Sequence, residues 1–100
     1  MQQQSFSTVR EFYPYYLQEH QDPRCRQTHF VGTTFGLVCL SFAIFTANLS
    51  FILLGLVGGY ACAWFGHAVY EKNRPATFQY PVYSFICDVL MYIDMWRGRL

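Results

Sequence analysis

The chain has 100 residues, of which 53% are hydrophobic and 13% are charged, and its formal net charge is +1. Soluble domains carry about 25% charged residues on average, so the composition argues against an ordinary soluble protein. The near-neutral charge, without a dense basic patch, also argues against a nucleic-acid partner. All charged residues lie within positions 1–29 and 71–100, and the block between them has room for two membrane-spanning helices of about 20 residues each.

The first predicted element is a short helix rich in aromatic side chains. Thr8, followed three residues later by Glu11, forms a capping-box pattern that predicts a helix from Val9 to about Gln18. Its aromatic rings favour the headgroup level of a membrane, and Pro14 predicts a kink or a position along that surface. The polar segment before this helix lacks the pattern of a cleaved signal peptide, so we expect the next hydrophobic stretch to be retained as an anchor.

Two apolar stretches, Phe30–Ala47 and Phe51–Phe65, contain no charged residue and are separated only by residues 48–50. Their length predicts a transmembrane helical hairpin with spans at about 30–47 and 51–69. Cationic residues flank both outer ends of the hairpin and the turn has none, so the positive-inside rule places both chain termini in the cytosol. The sequence leaves a bacterial inner membrane and the endoplasmic reticulum as alternatives.

Small residues mark the predicted contact between the two spans. Asp22 followed by Pro23 is a helix start that leads into the first span, where Gly32 and Gly36 form a small-xxx-small pair that lets backbones approach. Extended by fours, the corresponding stripe of the second span comprises Gly55, Gly59, Ala63, His67 and Glu71. His67 is therefore predicted to face the partner helix rather than lipid.

The three histidines, His20, His29 and His67, are predicted to meet at one edge of the hairpin. Reflection about the turn at Asn48 places His29 within one residue of the level of His67, and His20 lies in the turn just before the first long helix. Ionisable residues at a membrane indicate function, and three imidazoles predict a metal site. The alternative is a histidine that only forms a hydrogen bond at the end of a tight hairpin.

Three further residues are candidates for the same site. Glu71 lies four residues after His67 and shares its helix face, so it is predicted as a metal ligand or as a carboxylate that orients one. A solvated ion pair is its alternative. Imidazole with carboxylate suits iron(II), zinc or manganese. Arg74 and Lys72 are predicted to bind the carboxylate of a lipid acid, with simple anchoring at the membrane as the alternative.

A further helix, after the two spans, is predicted over Val82–Trp96, following Pro81. Asp88 and Asp94 interrupt its apolar faces, so we expect an amphipathic or re-entrant element whose carboxylates lie on the helix surface. The predicted fold class for residues 1–100 is a single all-α membrane domain, in which a two-span hairpin is flanked by an interfacial helix and by this element. Because two spans alone bury few side chains, a homo-oligomer is expected.

Two segments resemble the motifs of a known family. The run Phe12-Tyr-Pro-Tyr-Tyr-Leu-Gln-Glu-His20, followed by Pro23 and His29, is similar to the amino-terminal motif of the Mpo1-like family. The run Gly66-His-Ala-Val-Tyr-Glu-Lys-Asn-Arg-Pro-Ala76 resembles the most distinctive motif of that family. With the spacing between them, the similarity covers nearly the whole chain.

The resemblance implies an iron(II)-dependent dioxygenase that shortens 2-hydroxy fatty acids by one carbon in membranes, with the lipid and O2 as substrates. It implies Fe(2+) at His20, His29 and His67. Fungal members are longer and carry a second histidine after the first, where this chain has Gln21. The residues also leave open a non-catalytic lipid-binding or structural hairpin and a zinc-dependent lipid hydrolase.

Overall fold

The computed structural model describes residues 5–100, and within this range every regular element is helical. The four α-helices are α1 (Val9–Gln18), α2 (Pro23–Thr46), α3 (Ser50–Gly66) and α4 (Pro81–Trp96). A π-helical turn over His67–Glu71 extends α3, and a 3-10 turn over Ala76–Phe78 precedes α4. The all-helical prediction is confirmed.

Helix α1 begins and ends at the predicted residues. The Thr8 hydroxyl accepts a hydrogen bond from the backbone N–H of Glu11 at 3.2 Å, which satisfies one of the free donors at the helix start. The Glu11 carboxylate accepts in return from the N–H of Ser7, one residue earlier than the standard capping box. The helix continues through Pro14 to Gln18.

Helix α2 begins at the predicted aspartate and proline. The Asp22 carboxylate accepts a hydrogen bond from the N–H of Arg24 at 2.8 Å, and Pro23 occupies the first helical position. The helix ends where Ala47 adopts the left-handed conformation (φ 54°), and Asn48 then accepts hydrogen bonds from the N–H and hydroxyl of Ser50. This tight link reverses the chain, and the predicted helical hairpin is confirmed.

The seam between α2 and α3 is built on glycine. A Cβ placed on Gly32 would lie 2.7 Å from the carbonyl oxygen of Gly59, and one on Gly55 would lie 2.9 Å from the Cβ of Cys39. Real Cβ atoms essentially never approach other atoms so closely. The two backbones therefore pack at a distance that only glycine permits at these positions, as the small-residue stripe predicted.

The hairpin helices present apolar surface outward. The segments Pro23–Thr46 and Ser50–Glu71 are long and apolar enough to cross a membrane, and only 22% of the apolar window of each is buried. Ile44 is 70% exposed and Phe45 is 87% exposed. A core helix of a soluble protein is mostly buried, so this exposure is typical of helices that face lipid.

Helices α1 and α4 pack together across one end of the hairpin. Phe12 and Tyr16 of α1 are buried in one hydrophobic cluster with Cys87 and Met91 of α4. Helix α4 also contacts α2, since the ring centroids of Phe30 and Tyr92 are 4.6 Å apart. The α1–α4 pair therefore covers the end of the hairpin that carries the histidines. The predicted position of these two helices at a membrane surface stays a prediction.

Candidate metal centre

The structure brings the three predicted histidines into contact. His20 lies in the turn after α1, His29 on α2 and His67 at the first position of the π-helical turn. Their exposed fractions are 1%, 5% and 2%. The Nε2 atom of His20 lies 3.1 Å from that of His29 and 2.8 Å from that of His67. Reflection about the turn at Asn48 predicted that the last two lie at nearly the same level, and their ring centroids are 5.1 Å apart.

Each ring is oriented by a hydrogen bond at its other nitrogen. The Nδ1 atom of His20 lies 2.6 Å from the carbonyl oxygen of Tyr16, and that of His29 lies 3.0 Å from the carbonyl oxygen of Cys25. A carbonyl oxygen only accepts, so Nδ1 carries the proton in both rings. The Nε2 lone pairs of both are consequently free for ligation.

His67 is held by a side-chain network. Its Nδ1 atom lies 2.6 Å from Oδ1 of Asn73. The Nδ2 atom of Asn73 donates to the carbonyl oxygen and the carboxylate of Glu19, so the amide oxygen faces His67 and accepts a hydrogen bond from its Nδ1–H. Lys72, at φ 57°, adopts the left-handed conformation that turns the chain back after the π-helical turn. This local backbone strain places Asn73 against His67.

The donor set fits a metal ion. With all three Nδ1 atoms protonated, three Nε2 lone pairs converge without a proton to share among them, which is a repulsive arrangement unless a cation lies between. At metal–nitrogen bonds of about 2.0–2.1 Å, two ligands at a right angle are separated by about 2.8–3.0 Å. The observed spacings of 2.8 and 3.1 Å match this value. All three ligand atoms lie within 4.8 Å of one another.

Burial keeps His20 in its ligating form. Removal from water, together with the neighbouring His29 and His67, lowers the pKa of His20 from 6.5 to about 2. Its imidazole is therefore neutral at physiological pH, as metal coordination requires. The ring of His20 also stacks on that of Tyr16, with 4.0 Å between the ring centroids. The guanidinium of Arg26 donates a hydrogen bond to the backbone carbonyl oxygen of His20 at 2.5 Å.

The carboxylate of Asp88, which was expected on the surface of α4, lies at the site. The hydroxyl of Tyr16 donates a hydrogen bond to Asp88, and Asp88 lines the same small cavity as the three histidines. Burial raises the pKa of Asp88 to about 7, although the Tyr16 hydrogen bond acts in the opposite direction. The surface interpretation of Asp88 is therefore corrected, because α4 turns this face towards the hairpin.

An apolar groove of about 220 Å³ leads away from the histidines along the hairpin. Helix α2 lines it from His29 to Leu40, a rise of about 16 Å, and α3 lines it from Ile52 to Ala63. Helix α4 closes one side with Phe85, Asp88 and Val89. The sequence did not predict that α4 lines this groove, although the spacing of Ser84 and Asp88, four residues apart on an apolar helix, was a signal that α4 has a polar inner face.

The other three predicted site residues lie outside the histidine cavity. The Glu71 carboxylate accepts a hydrogen bond from the N–H of Asp22 at 2.5 Å, which ties the π-helical turn to the start of α2. The guanidinium of Arg74 lies over the ring of Phe78 at 5.5 Å, and Lys72 is exposed. None of the three lines the cavity that the histidines share, and their predicted roles stay predictions.

Comparison with known proteins adds one finding. The family model described as 2-hydroxy-palmitic acid dioxygenase Mpo1-like matches residues 6–100, which include all three histidines and both ends of the hairpin. No curated protein and no solved structure matches the chain.

Proposed function

The chain belongs to the Mpo1-like family, and from this premise we propose that it is an iron(II)-dependent dioxygenase that shortens 2-hydroxy fatty acids by one carbon at a membrane. The observation that carries the proposal is the convergence of three buried imidazoles beside an apolar groove, which one of them, His29, also lines. Such an arrangement offers the two parts that this reaction needs, which are a metal site and a place for an acyl chain.

The proposed reaction balances without a further reductant. R–CH(OH)–COOH and O2 give R–COOH, CO2 and H2O, because oxidation of the two substrate carbons releases the electrons that reduce O2. The bond that breaks joins the hydroxyl-bearing carbon to the carboxyl carbon. Iron(II), when bound, supplies the redox centre that makes O2 reactive and the Lewis acid that holds the hydroxy acid.

The protein contributes orientation and a dry environment. Hydrogen bonds at the Nδ1 atoms of His20, His29 and His67 hold the rings so that their Nε2 atoms point to one place. Three protein ligands leave coordination positions for the substrate and O2, as in other iron oxygenases with few protein ligands. The groove holds the acyl chain beside these positions and excludes water, which favours a single reactive orientation.

The charged residues near the site are proposed to act from outside the cavity. Glu71 ties the π-helical turn to the start of α2 and so positions His67. Lys72 and Arg74 are exposed at the same end of the hairpin, where they attract an anionic fatty acid to the membrane surface. We further propose that the hairpin crosses the membrane with both termini in the cytosol and that the protein forms a homo-oligomer.

The test is a turnover experiment with defined metal content. The protein is purified in detergent without O2, loaded with iron(II), and given 2-hydroxypalmitate and then O2. We expect one bound iron per chain and release of the acid that is one carbon shorter, detected by mass spectrometry. His67→Gln, which keeps a polar side chain of similar size, should lose both bound iron and product.

Other outcomes would contradict the proposal in distinct ways. Turnover of a lipid by the zinc-loaded protein without O2 would indicate a hydrolase. Binding of fatty acids without any product, and unchanged binding in His67→Gln, would indicate a lipid-binding hairpin whose histidines have no chemical role.

A further inference from the structure

Helix α4 presents a buried hydroxyl group to the histidine cavity. Ser84 is 1% exposed, and its Oγ atom has no hydrogen-bond partner among residues 5–100. It lines the same cavity as His20, His29 and His67. A buried hydroxyl without a partner is destabilising and uncommon, so the position of Ser84 at this cavity indicates that a ligand completes its hydrogen bonding.

Asp88 lies one helical turn further along, at the junction between the cavity and the groove. It lines both spaces, a property that it shares among residues 5–100 only with His29 and Ala63. The Tyr16 hydroxyl donates to Oδ1 of Asp88, and the second carboxylate oxygen, Oδ2, is also a hydrogen-bond acceptor. An acceptor oxygen is therefore available where a ligand chain would leave the groove and meet the histidines.

The size of the two spaces decides how a ligand enters. The cavity at the histidines measures about 10 Å³, which is roughly the room for one water-sized atom, whereas the groove measures about 220 Å³. A fatty acid must therefore lie in the groove with its head group at the junction. Asp88 lies at that junction, and Ser84, one helical turn before it on α4, lines the cavity next to it.

We propose that Asp88 accepts a hydrogen bond from the 2-hydroxyl of the substrate and that Ser84 donates one to the substrate carboxylate. This inference rests on the proposed function and names the residues that select its substrate. The assignment follows from the donors and acceptors involved: a carboxylate of the protein needs a donor, and the hydroxyl is the donor of an ionised 2-hydroxy acid. A fatty acid without the hydroxyl leaves Asp88 without this partner, and such sites discriminate strongly.

The test measures binding rather than turnover. Radiolabelled 2-hydroxypalmitate and palmitate are titrated against the iron(II)-loaded full chain in lipid nanodiscs without O2, and the ratio of their Kd values gives the selectivity. We expect the wild type to bind the hydroxy acid about tenfold more tightly or better. Asp88→Ala should lower this ratio about tenfold, to the value that the metal alone provides, and Ser84→Ala should weaken both acids alike and leave the ratio unchanged.

The chain provides a matched control. Asp94 also lies on α4 and accepts a hydrogen bond from a tyrosine of α1, Tyr13, at 2.6 Å, but it lines neither the cavity nor the groove. Asp94→Ala should therefore keep the wild-type selectivity. Bound iron and helical content, measured for each variant, show that the folded site is retained.

The outcomes separate this inference from the proposed function. Selectivity in Asp88→Ala equal to that of wild type, or a wild type that binds both acids equally, would overturn the inference even if the enzyme shortens 2-hydroxy acids. Selectivity that depends on Asp88, in a protein that gives no shortened acid with O2, would support the inference and overturn the proposed dioxygenase activity.

Discussion

The two ends of the helical hairpin are held by different kinds of contact. At the histidine end, specific hydrogen bonds join polar side chains, as in the bonds of His67 to Asn73 and of Tyr16 to Asp88. Along the seam towards the turn, two glycine-containing backbones touch and the side chains around them are apolar. The first kind of contact fixes the positions of reactive atoms, whereas the second fixes the register of two helices. Substitutions at the two ends should therefore affect different measurements.

The largest effect is expected from removal of one imidazole. His29→Ala deletes one of three converging Nε2 atoms, and metal affinity should fall by more than the roughly 10–100-fold that loss of an orienting partner causes. Metal analysis of the purified protein should show almost no bound iron, while circular dichroism shows unchanged helix content. Gly36→Ala, at the seam, should retain wild-type iron. Equal iron in His29→Ala and wild type would show that the histidines are not the ligands.

The next effect tests the network behind His67. Asn73→Leu removes the oxygen that accepts from Nδ1 of His67, so the ring is no longer held in its ligating tautomer, and metal affinity should fall about 10–100-fold. A competition titration with a metal chelator measures this change. Gln79→Leu, a similar change at an exposed position, should have no effect. A loss of the same size in both variants would mean that the amide of Asn73 does not orient the ring.

Prediction from sequence succeeded where local rules act and failed where distant helices meet. Capping residues and the glycine period are local, and they gave the bounds of α1, the hairpin and the approach of His29 to His67. The role of Asp88 depends on the angle at which α4 packs, since its partner Tyr16 lies 72 residues away. The bond of Glu71 to Asp22 spans 49 residues, and no motif or spacing indicated it.

The seam should respond to a single methyl group at one glycine and not at another. A Cβ on Gly32 would lie 2.7 Å from a backbone oxygen of Gly59, whereas a Cβ on Gly36 would have only one neighbour, the oxygen of Gly55 at 3.7 Å. Gly32→Ala should therefore lower the free energy of unfolding by about 1–3 kcal/mol. Gly36→Ala should leave it unchanged or raise it slightly.

Unfolding of the two glycine variants in mixed detergent, followed by circular dichroism, measures this difference. Metal affinity per folded molecule should stay at the wild-type value in Gly36→Ala. Equal losses of stability in both variants would contradict the close contact at Gly32, and equal tolerance would show that the seam can separate without cost.

The smallest effect comes from the charge of Asp88, which lies between the histidine cavity and the apolar groove. Burial raises the pKa of Asp88 from 3.8 to about 7, so the folded protein binds this proton more tightly than the unfolded chain does. The ionised form is disfavoured in the fold, and stability is therefore lost as the pH rises from about 4 through 7. Asp88→Asn has no charge to ionise and keeps an oxygen that can accept from Tyr16. Its Tm should exceed that of wild type by about 5 °C at pH 8 and equal it near pH 4.

Thermal unfolding at both pH values, with Asp94→Asn as the comparison, measures this difference. A gain confined to Asp88→Asn, together with lost selectivity for the 2-hydroxyl group, would mean that the protein keeps a destabilising carboxylate because the substrate needs it. The same gain in both variants would assign the effect to the overall charge of α4 instead.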